Sequence, residues 1–427
     1  MKARLLANLN WLFADKVLRL AGGLIIGVWT ARYLGPEQFG NLNYAIAFVA
    51  LFGAVAKLGI DQIVVRDLVR MPDKQPAILG TVLVMKLVAS LVALAVVIPI
   101  AWLSQQGNWD FTLMVGVIAA GMLFNVLDAY DIYYQAHVRS RDVVFARGIA
   151  FLVFAAVRVS LILGGFSIIY FALAATLELA VGGGVLVWVY RCRQVQEGAW
   201  YFDSRVMKSL FRDGWPFIVS SALVVIHTRV DQVMIGQMMG VADVGIYSAA
   251  VRLSESWLFV PGIIVQTLTP YFMALRASNL PLYRDRLMQL YSIMFWLSVS
   301  VGLMTMVLGE VIVVTLFGES YRASYQPLVL TVWTGVFISQ SVARSIWMVG
   351  ENMQKFRVMN NVMAVPLNII FNLVMIPRYG VVGASAASLL SIGISTWILP
   401  FLFASMRESN RQLIFSINPV WLLRSSK

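Results

Sequence analysis

The sequence predicts an all-α integral membrane protein of about twelve transmembrane helices, arranged as two parallel six-helix lobes around a central cavity. Three observations predict it. Of 427 residues, 60% are hydrophobic and only 13% charged, with a mean hydropathy of +0.79, whereas a soluble domain is about half apolar and about a quarter charged. Apolar stretches recur along the whole chain, each long enough to cross a hydrocarbon core of about 30 Å as a helix rising ~1.5 Å per residue. Between them, loops rich in Lys and Arg alternate with loops that nearly lack them, which is the imprint of a fixed orientation in a membrane.

In order along the chain, the expected crossings run approximately over 11–33, 41–59, 77–103, 110–130, 148–164, 167–190, 214–238, 245–273, 288–308, 325–343, 358–377 and 381–405. The fifth and sixth divide only at the Gly164-Gly165 turn. With the N-terminus inside, the cytoplasmic face collects Lys57, Arg66, Arg70 and Lys74, then Arg139, Arg141 and Arg147, then Arg191 through Arg212. Arg276, Arg284 and Arg286 follow, then Arg344, Lys355 and Arg357, and finally the basic tail; the opposite turns hold only Arg32, Arg322 and Arg378. The net charge of +12 is therefore an orientation signal, with attraction to anionic lipid headgroups as a consequence, and it does not mark nucleic-acid binding. Both termini are expected in the cytoplasm, and the first helix is expected to be retained because Asp15, Lys16 and Arg19 interrupt what would be the apolar core of a signal peptide. Cys192 is the single cysteine and His137 and His227 the only histidines, so neither an intrachain disulfide nor a zinc site is expected. No loop is long enough for a soluble catalytic domain, and no paired-carboxylate or Cys/His constellation marks a catalytic residue.

An internal repeat organises the crossings. Leu34 to Ala47, LGPEQFGNLNYAIA, matches Met239 to Arg252, MGVADVGIYSAAVR, aligning Gly35 with Gly240, Gly40 with Gly245 and Ala45 with Ala250. Each copy follows an odd-numbered crossing and opens the next, with an even number of crossings between them. The two halves then share one orientation, as lobes related by an axis along the membrane normal. We place the lobes at 1–200 and 201–427. A two-lobed bundle without an extramembrane domain is an architecture for moving a substrate by alternating access. Pro261 and Pro366 lie where they would kink their helices, and Gly182-Gly183-Gly184 suits close helix packing.

Ionisable groups at membrane depth are costly and normally face a wet cavity or a partner. Lys86, Arg158 and Glu178 fall near the middle of crossings in the first lobe, Arg229 and Asp231 in the seventh crossing, and Arg252 and Glu255 in the eighth. Asp15, Lys16 and Arg19 form a cluster toward the cytoplasmic end of the first. Asp15 with Arg19, four apart, and Arg252 with Glu255, three apart, can pair on one helical face. Arg229 and Asp231 point to nearly opposite sides, and Lys86 and Arg158 have no acid on their own face. These residues are the expected substrate-binding and translocation set, a series of cationic sites suited to a phosphate-bearing headgroup. His227 is expected to be a packing residue. Tyr130, Tyr133 and Tyr134 suit an aromatic belt at the membrane surface.

At the junctions the sequence resembles the polysaccharide transporter family, the Wzx-type O-antigen flippases of the multidrug/oligosaccharidyl-lipid/polysaccharide (MOP) exporter superfamily. Ala31 to Gly40, ARYLGPEQFG, is similar to that family's R-x-L-G-P-x-x-F-G signature, followed by Tyr44 and Ala45. Asp231 to Gly236 with Gly240 keeps the pattern in the second copy, and Leu316-Phe317-Gly318 with Tyr321 resembles the turn before the tenth crossing. Asn372 to Gly380, NLVMIPRYG, continuing to Gly383-Ala384-Ser385-Ala386, is similar to the family's last hairpin. The resemblance implies export of an undecaprenyl-diphosphate-linked oligosaccharide from the cytoplasmic to the periplasmic leaflet of the bacterial inner membrane. It implies, as partners, the lipid-linked oligosaccharide, membrane lipids, the glycosyltransferases that build the repeat unit and the polymerase that consumes it. No cofactor is implied, although coupling to H+ or Na+ through an Asp or Glu fits such a cycle. Two other readings stand beside it: a multidrug or cation exporter of the same superfamily, against which an excess of positive charge in the cavity would argue, and a membrane-embedded polysaccharide polymerase or ligase.

Overall fold

The computed structural model of the protein describes residues 2–192, 199–353 and 355–423, without the side chains of 2–18, 140, 355, 357, 358, 361, 422 and 423. Asp15 and Lys16 of the expected charge cluster therefore lie outside the described side chains. The regular elements among the described residues are all helical: α1 (Lys2–Lys57), α2 (Asp61–Arg70), α3 (Gln75–Ser104), α4 (Trp109–Ala120), α5 (Asp128–Ala136), α6 (Ser140–Leu163), α7 (Ile168–Cys192), α8 (Ser204–Met238), α9 (Val241–Ser278), α10 (Leu280–Phe317), α11 (Tyr325–Gly350), α12 (Lys355–Gly393), α13 (Arg407–Phe415) and α14 (Val420–Leu423). Short 3-10 turns at Gly121–Leu127 and Glu319–Ser324 join α4 to α5 and α10 to α11. Nine helical segments are long and apolar enough to cross a membrane among the described residues. Two of these bend back, at Gly35 in α1 and Gly380 in α12, and so hold two crossings each. With α11 they make twelve, the number expected.

The eleventh helix shows why hydropathy alone undercounts. It packs against α9, α10 and α12, so lipid never reaches its inward face, and Thr331, Thr334, Ser339, Gln340 and Arg344 are all buried there. Arg344 corrects an expectation. Read as a loop cation, it lies inside α11, only 2% exposed, donating to the Thr396 carbonyl at 2.8 Å and to Asn410 Oδ1 at 2.8 Å. The cause is the end of the twelfth crossing, where the α-helix gives way to a π turn at Ile394–Ile398 and a 3-10 turn at Leu399–Leu402. Irregular backbone at membrane depth frees carbonyls that must find donors within the protein. Arg344 supplies one, and Asn410 Nδ2 caps the Trp397 carbonyl at 2.6 Å.

Chain reversal after every odd-numbered crossing uses a glycine in the positive-φ region, at Gly35, Gly107, Gly165, Gly240, Gly318 and Gly380. At the first, Pro36 follows and needs no donor at a helix start. The repeat is visible here as contact. A Cβ on Gly40 would stand 1.7 Å from the Val241 carbonyl oxygen, and one on Gly245 would stand 2.0 Å from that of Pro36. The two aligned glycines thus meet backbone to backbone in reciprocal fashion, which only glycine permits. Pro261 lies inside α9 and Pro366 inside α12, and the non-helical break in α12 comes at Gly380. In the turn after α10, Arg322 lies 2.6 Å from Glu319 and 2.7 Å from Glu310, and it holds the Glu319 carboxyl below the usual range by hydrogen bonding.

By its internal contacts the chain forms two units, Met1–Leu34 with Asn41–Arg229, and Gly35–Gly40 with Val230–Lys427. The division expected at 200/201 falls instead within α8, because residues 204–229 pack with the first unit and the 35–40 turn packs with the second. In the first unit the core gathers Ile60, Leu68, Ile78, Leu79, Tyr133 and Tyr134. The tyrosines correct a second expectation. Tyr133 and Tyr134 are buried inside the protein and do not face lipid, and Tyr130, Tyr133, Tyr190 and Trp200 pack mostly edge to face with ring centroids 4.6 to 5.4 Å apart.

Candidate functional site

The first unit encloses a cavity of about 480 Å³, walled by α1, α2, α5, α6, α7 and the 3-10 turn before α5. Where α4 passes into Gly121–Leu127, Leu127 packs against Gly183, whose missing Cβ leaves room for it. This brings Asn125 and Asp128 to the cavity wall. Gly182 and Gly183 on α7 line the cavity as well, so these glycines both pack and make the wall.

The ionisable groups that reach this cavity are interlocked. Lys86, 0% exposed on α3, places Nζ 2.8 Å from Asp61 Oδ1 and 3.7 Å from Asp128 Oδ2. Arg147 on α6 pairs with Asp131 on α5, which also accepts from Gln135 Nε2 at 3.1 Å. Arg158 on α6 donates to Glu178 Oε2 on α7 at 2.6 Å. Lys86 and Arg158, read from the sequence as lacking partners on their own helices, therefore find them on neighbouring ones. The lining holds Arg19, Lys57 and Arg147 against Asp61, Asp128, Asp131 and Glu178. With Lys86 and Arg158 included, five cations meet four carboxylates, and three of those cations, Lys86, Arg147 and Arg158, are held in ion pairs between helices. Arg19, from the cytoplasmic-side cluster, does reach the cavity. Asp61, Asp128, Asp131 and Arg147 were missed as site residues, and the available signal was that acids recur beside crossings whose flanks are otherwise basic.

Asp231 sits in a separate buried cluster in the second unit. It is 4% exposed and accepts from Tyr247 Oη at 2.7 Å, from Asn372 Nδ2 at 2.6 Å and from Ser388 Oγ. Asn368 joins this network through Asn372 at 3.2 Å and Ser388 at 3.3 Å. All of Asp231's described partners are neutral donors, and Asn372 Oδ1 is buried with no hydrogen-bond partner among the described residues. Tyr247, Asn368 and Ser388 were not foreseen; the four-residue spacing of Asn368 and Asn372, two amides on one face of an apolar helix, was the sign. Of the remaining expected residues, Arg229 is half-buried in the first unit, while half-buried Arg252 and exposed Glu255 belong to α9 in the second.

Comparison with known proteins places this architecture. A family described as polysaccharide biosynthesis protein matches residues 5–276. No curated protein matches the sequence. Among solved structures, the chain resembles the lipid II flippase MurJ in an inward closed conformation, with a TM-score of 0.72 at 12% identity, covering 97% of this chain and 93% of that one. It resembles an inward-facing multidrug resistance MATE family transporter of the MOP superfamily, with a TM-score of 0.69 at 16% identity over 93% and 95%. A MOP superfamily transporter from Pyrococcus furiosus, whose binding pocket is described as of reverse polarity, aligns with a TM-score of 0.58 at 16% identity over 96% of each chain. At these identities the likeness is one of fold, that of transporters and flippases; the sequence match, spanning well over half of the chain, makes this protein a member of the polysaccharide biosynthesis protein family with a MOP-superfamily fold.

Proposed function

We propose that the protein is a flippase that carries an undecaprenyl-diphosphate-linked oligosaccharide, an O-antigen or related surface-polysaccharide repeat unit, from the cytoplasmic to the periplasmic leaflet of the bacterial inner membrane. The observation that carries this reading is the cavity wall in the first unit. Its four carboxylates are already held in ion pairs with Lys86, Arg147 and Arg158, and Asn125 and Gln135 stand among them, so it offers donors and acceptors together to the neutral, hydroxyl-rich sugar of such a headgroup. Alternating access would then follow from differential binding of the headgroup in two states. The orientation has the basic turns, both termini, and the glycosyltransferases that supply the repeat unit on the cytoplasmic side, with the polymerase on the other. The protein catalyses no bond change on this reading.

For coupling we assign Asp231. Its carboxylate, Asn372 Oδ1 and Ser388 Oγ offer oxygen donors to H+ or Na+, and uptake of the ion would neutralise the buried charge. A second reading, export of a cationic small molecule, would draw on the four carboxylates among the lining residues, Asp61, Asp128, Asp131 and Glu178. One experiment separates these. Deletion in the native host, followed by extraction of lipid-linked sugars and assignment of their leaflet, should show complete repeat units held on the cytoplasmic face with surface polymer lost. Accumulation on the periplasmic face would identify a polymerase or ligase instead. No accumulation, with increased drug sensitivity, would establish the exporter.

A further inference from the structure

Beside the polar cavity, and on the same unit, lies a second hollow of opposite character. It has a volume of about 790 Å³ and is walled by Leu58, by Val84, Met85, Val88 and Ala89 of α3, and by Phe202, Met207, Phe211 and Trp215 around the start of α8, with Lys208 and Arg212 at its edge. Lys208 has no ion pair among the described residues, and Arg212 reaches Asp213 only at 3.4 Å. Met207, Phe211 and Trp215 are spaced by four, as are Lys208 and Arg212, so one face of α8 presents an apolar stripe with a cationic stripe alongside it.

The two hollows abut. Lys57 lines the cavity, and the next residue, Leu58, lines the groove. The turn between them is fixed in place: Leu58 and Gly59 both have φ of 59°, and Gly59 lies so close to α8 that a Cβ would stand 2.6 Å from Ser221 Oγ. The wall continues in α3. Lys86 faces Asp61 and Asp128 at the cavity, while Val84 and Val88, two positions to either side, point the opposite way into the groove. These valines lie ~14 to ~20 Å along α3 from its start, which is mid-membrane depth.

We infer that this groove holds the hydrocarbon chain of the lipid-linked substrate while its sugar occupies the cavity, with the phosphate-bearing junction passing over Leu58 toward Lys208 and Arg212. The inference rests on the flippase reading above and adds where the tail lies. An amphiphile needs a polar and an apolar compartment in contact, with cations where its phosphates fall, and residues 57 and 58 divide two such compartments.

The test is photo-crosslinking in the native host, with p-benzoylphenylalanine replacing Val88 or Phe211, and Leu303, an exposed apolar position of α10, as the membrane-facing control. Adducts carrying a polyprenyl diphosphate sugar at Val88 and Phe211 but not at Leu303, lost when Lys208→Glu and Arg212→Glu are added, are expected. Phospholipid adducts alone at all three positions would overturn the inference. Val88→Trp, which fills the groove, should lower surface polymer at least about tenfold, the effect of ~2 chain methylenes losing their burial; wild-type polymer with normal protein level would count against it. Should deletion of the whole protein accumulate no lipid-linked sugar, the flippase reading itself fails. Should it accumulate one while Val88 captures only phospholipid, the groove assignment alone fails.

Discussion

Neutralising the two carboxylates that hold Lys86 should cost far more together than the sum of the separate losses. Lys86 is 0% exposed, whereas the side chains of Asp61 and Asp128 are 48% and 33% exposed. At an effective dielectric of about 20, charges at 2.8 Å and 3.7 Å attract by about 6 and about 4.5 kcal/mol before desolvation. Either carboxylate alone is enough to keep the ammonium paired. Asp61→Asn, which weakens a hydrogen-bonded ion pair, or Asp128→Asn, which removes a longer ion pair, is therefore expected to destabilise the protein by ~1–2 kcal/mol after screening of these partly exposed carboxylates. Both together strand a fully buried cation, for which ~3–5 kcal/mol is typical. Adding Lys86→Met removes that cation and should restore most of the loss. The assay is thermal unfolding of the purified protein in detergent across the full cycle of single, double and triple variants. Strictly additive losses, or a triple variant no more stable than the double, would refute the reasoning.

Arg158→Ala should abolish surface polymer while leaving membrane insertion intact, with Arg158→Lys retaining part of the activity and Glu178→Gln behaving like Arg158→Ala. Normal polymer in both would release this 2.6 Å pair from the site. Asp231→Asn should remove the dependence of transport on Na+ or on the proton gradient, measured in vesicles under imposed gradients; an unchanged ion dependence would dismiss the coupling role. Gly40→Ala puts a methyl 1.7 Å from the Val241 carbonyl and should destabilise by at least ~1–3 kcal/mol, read as a drop in folded protein by size-exclusion fluorescence, where wild-type behaviour would show that the turns can separate. Arg344→Met leaves the Thr396 carbonyl and Asn410 Oδ1 without their donor and should cost ~3 kcal/mol, with transport per folded molecule unaffected; a loss of transport without a loss of stability would give Arg344 a different role.

The crossings and the repeat were legible because each is a local property of the chain. Apolar length marks a crossing wherever it lies, and Gly35, Gly40, Gly240 and Gly245 recur because one backbone geometry is used twice. The partners of the buried charges were not legible. Lys86 meets Asp61 across 25 residues, Arg158 meets Glu178 across 20, and Asp231 meets Ser388 across 157. Helical spacing reports only neighbours three or four apart, so a charge paired between helices looks the same in sequence as one awaiting a substrate. Arg344 was misplaced for a related reason: a cation near the end of a crossing reads as a loop residue unless the need of a distant carbonyl is known. The aromatic residues at 130–134 were likewise ambiguous, since tyrosine suits both an interface and a core stack.

The glycine reversals after odd-numbered crossings also bear on how the chain is made. A turn of so few residues keeps the ends of its two helices nearly in contact, so the second cannot remain in water while the first sits in lipid. The nascent chain must then enter the membrane as helical hairpins, two crossings at each step. Nascent chains halted after an even crossing would be stable in the bilayer, whereas those halted after an odd one would wait for a mate, and a tag placed in any of these six turns would interrupt assembly at that hairpin.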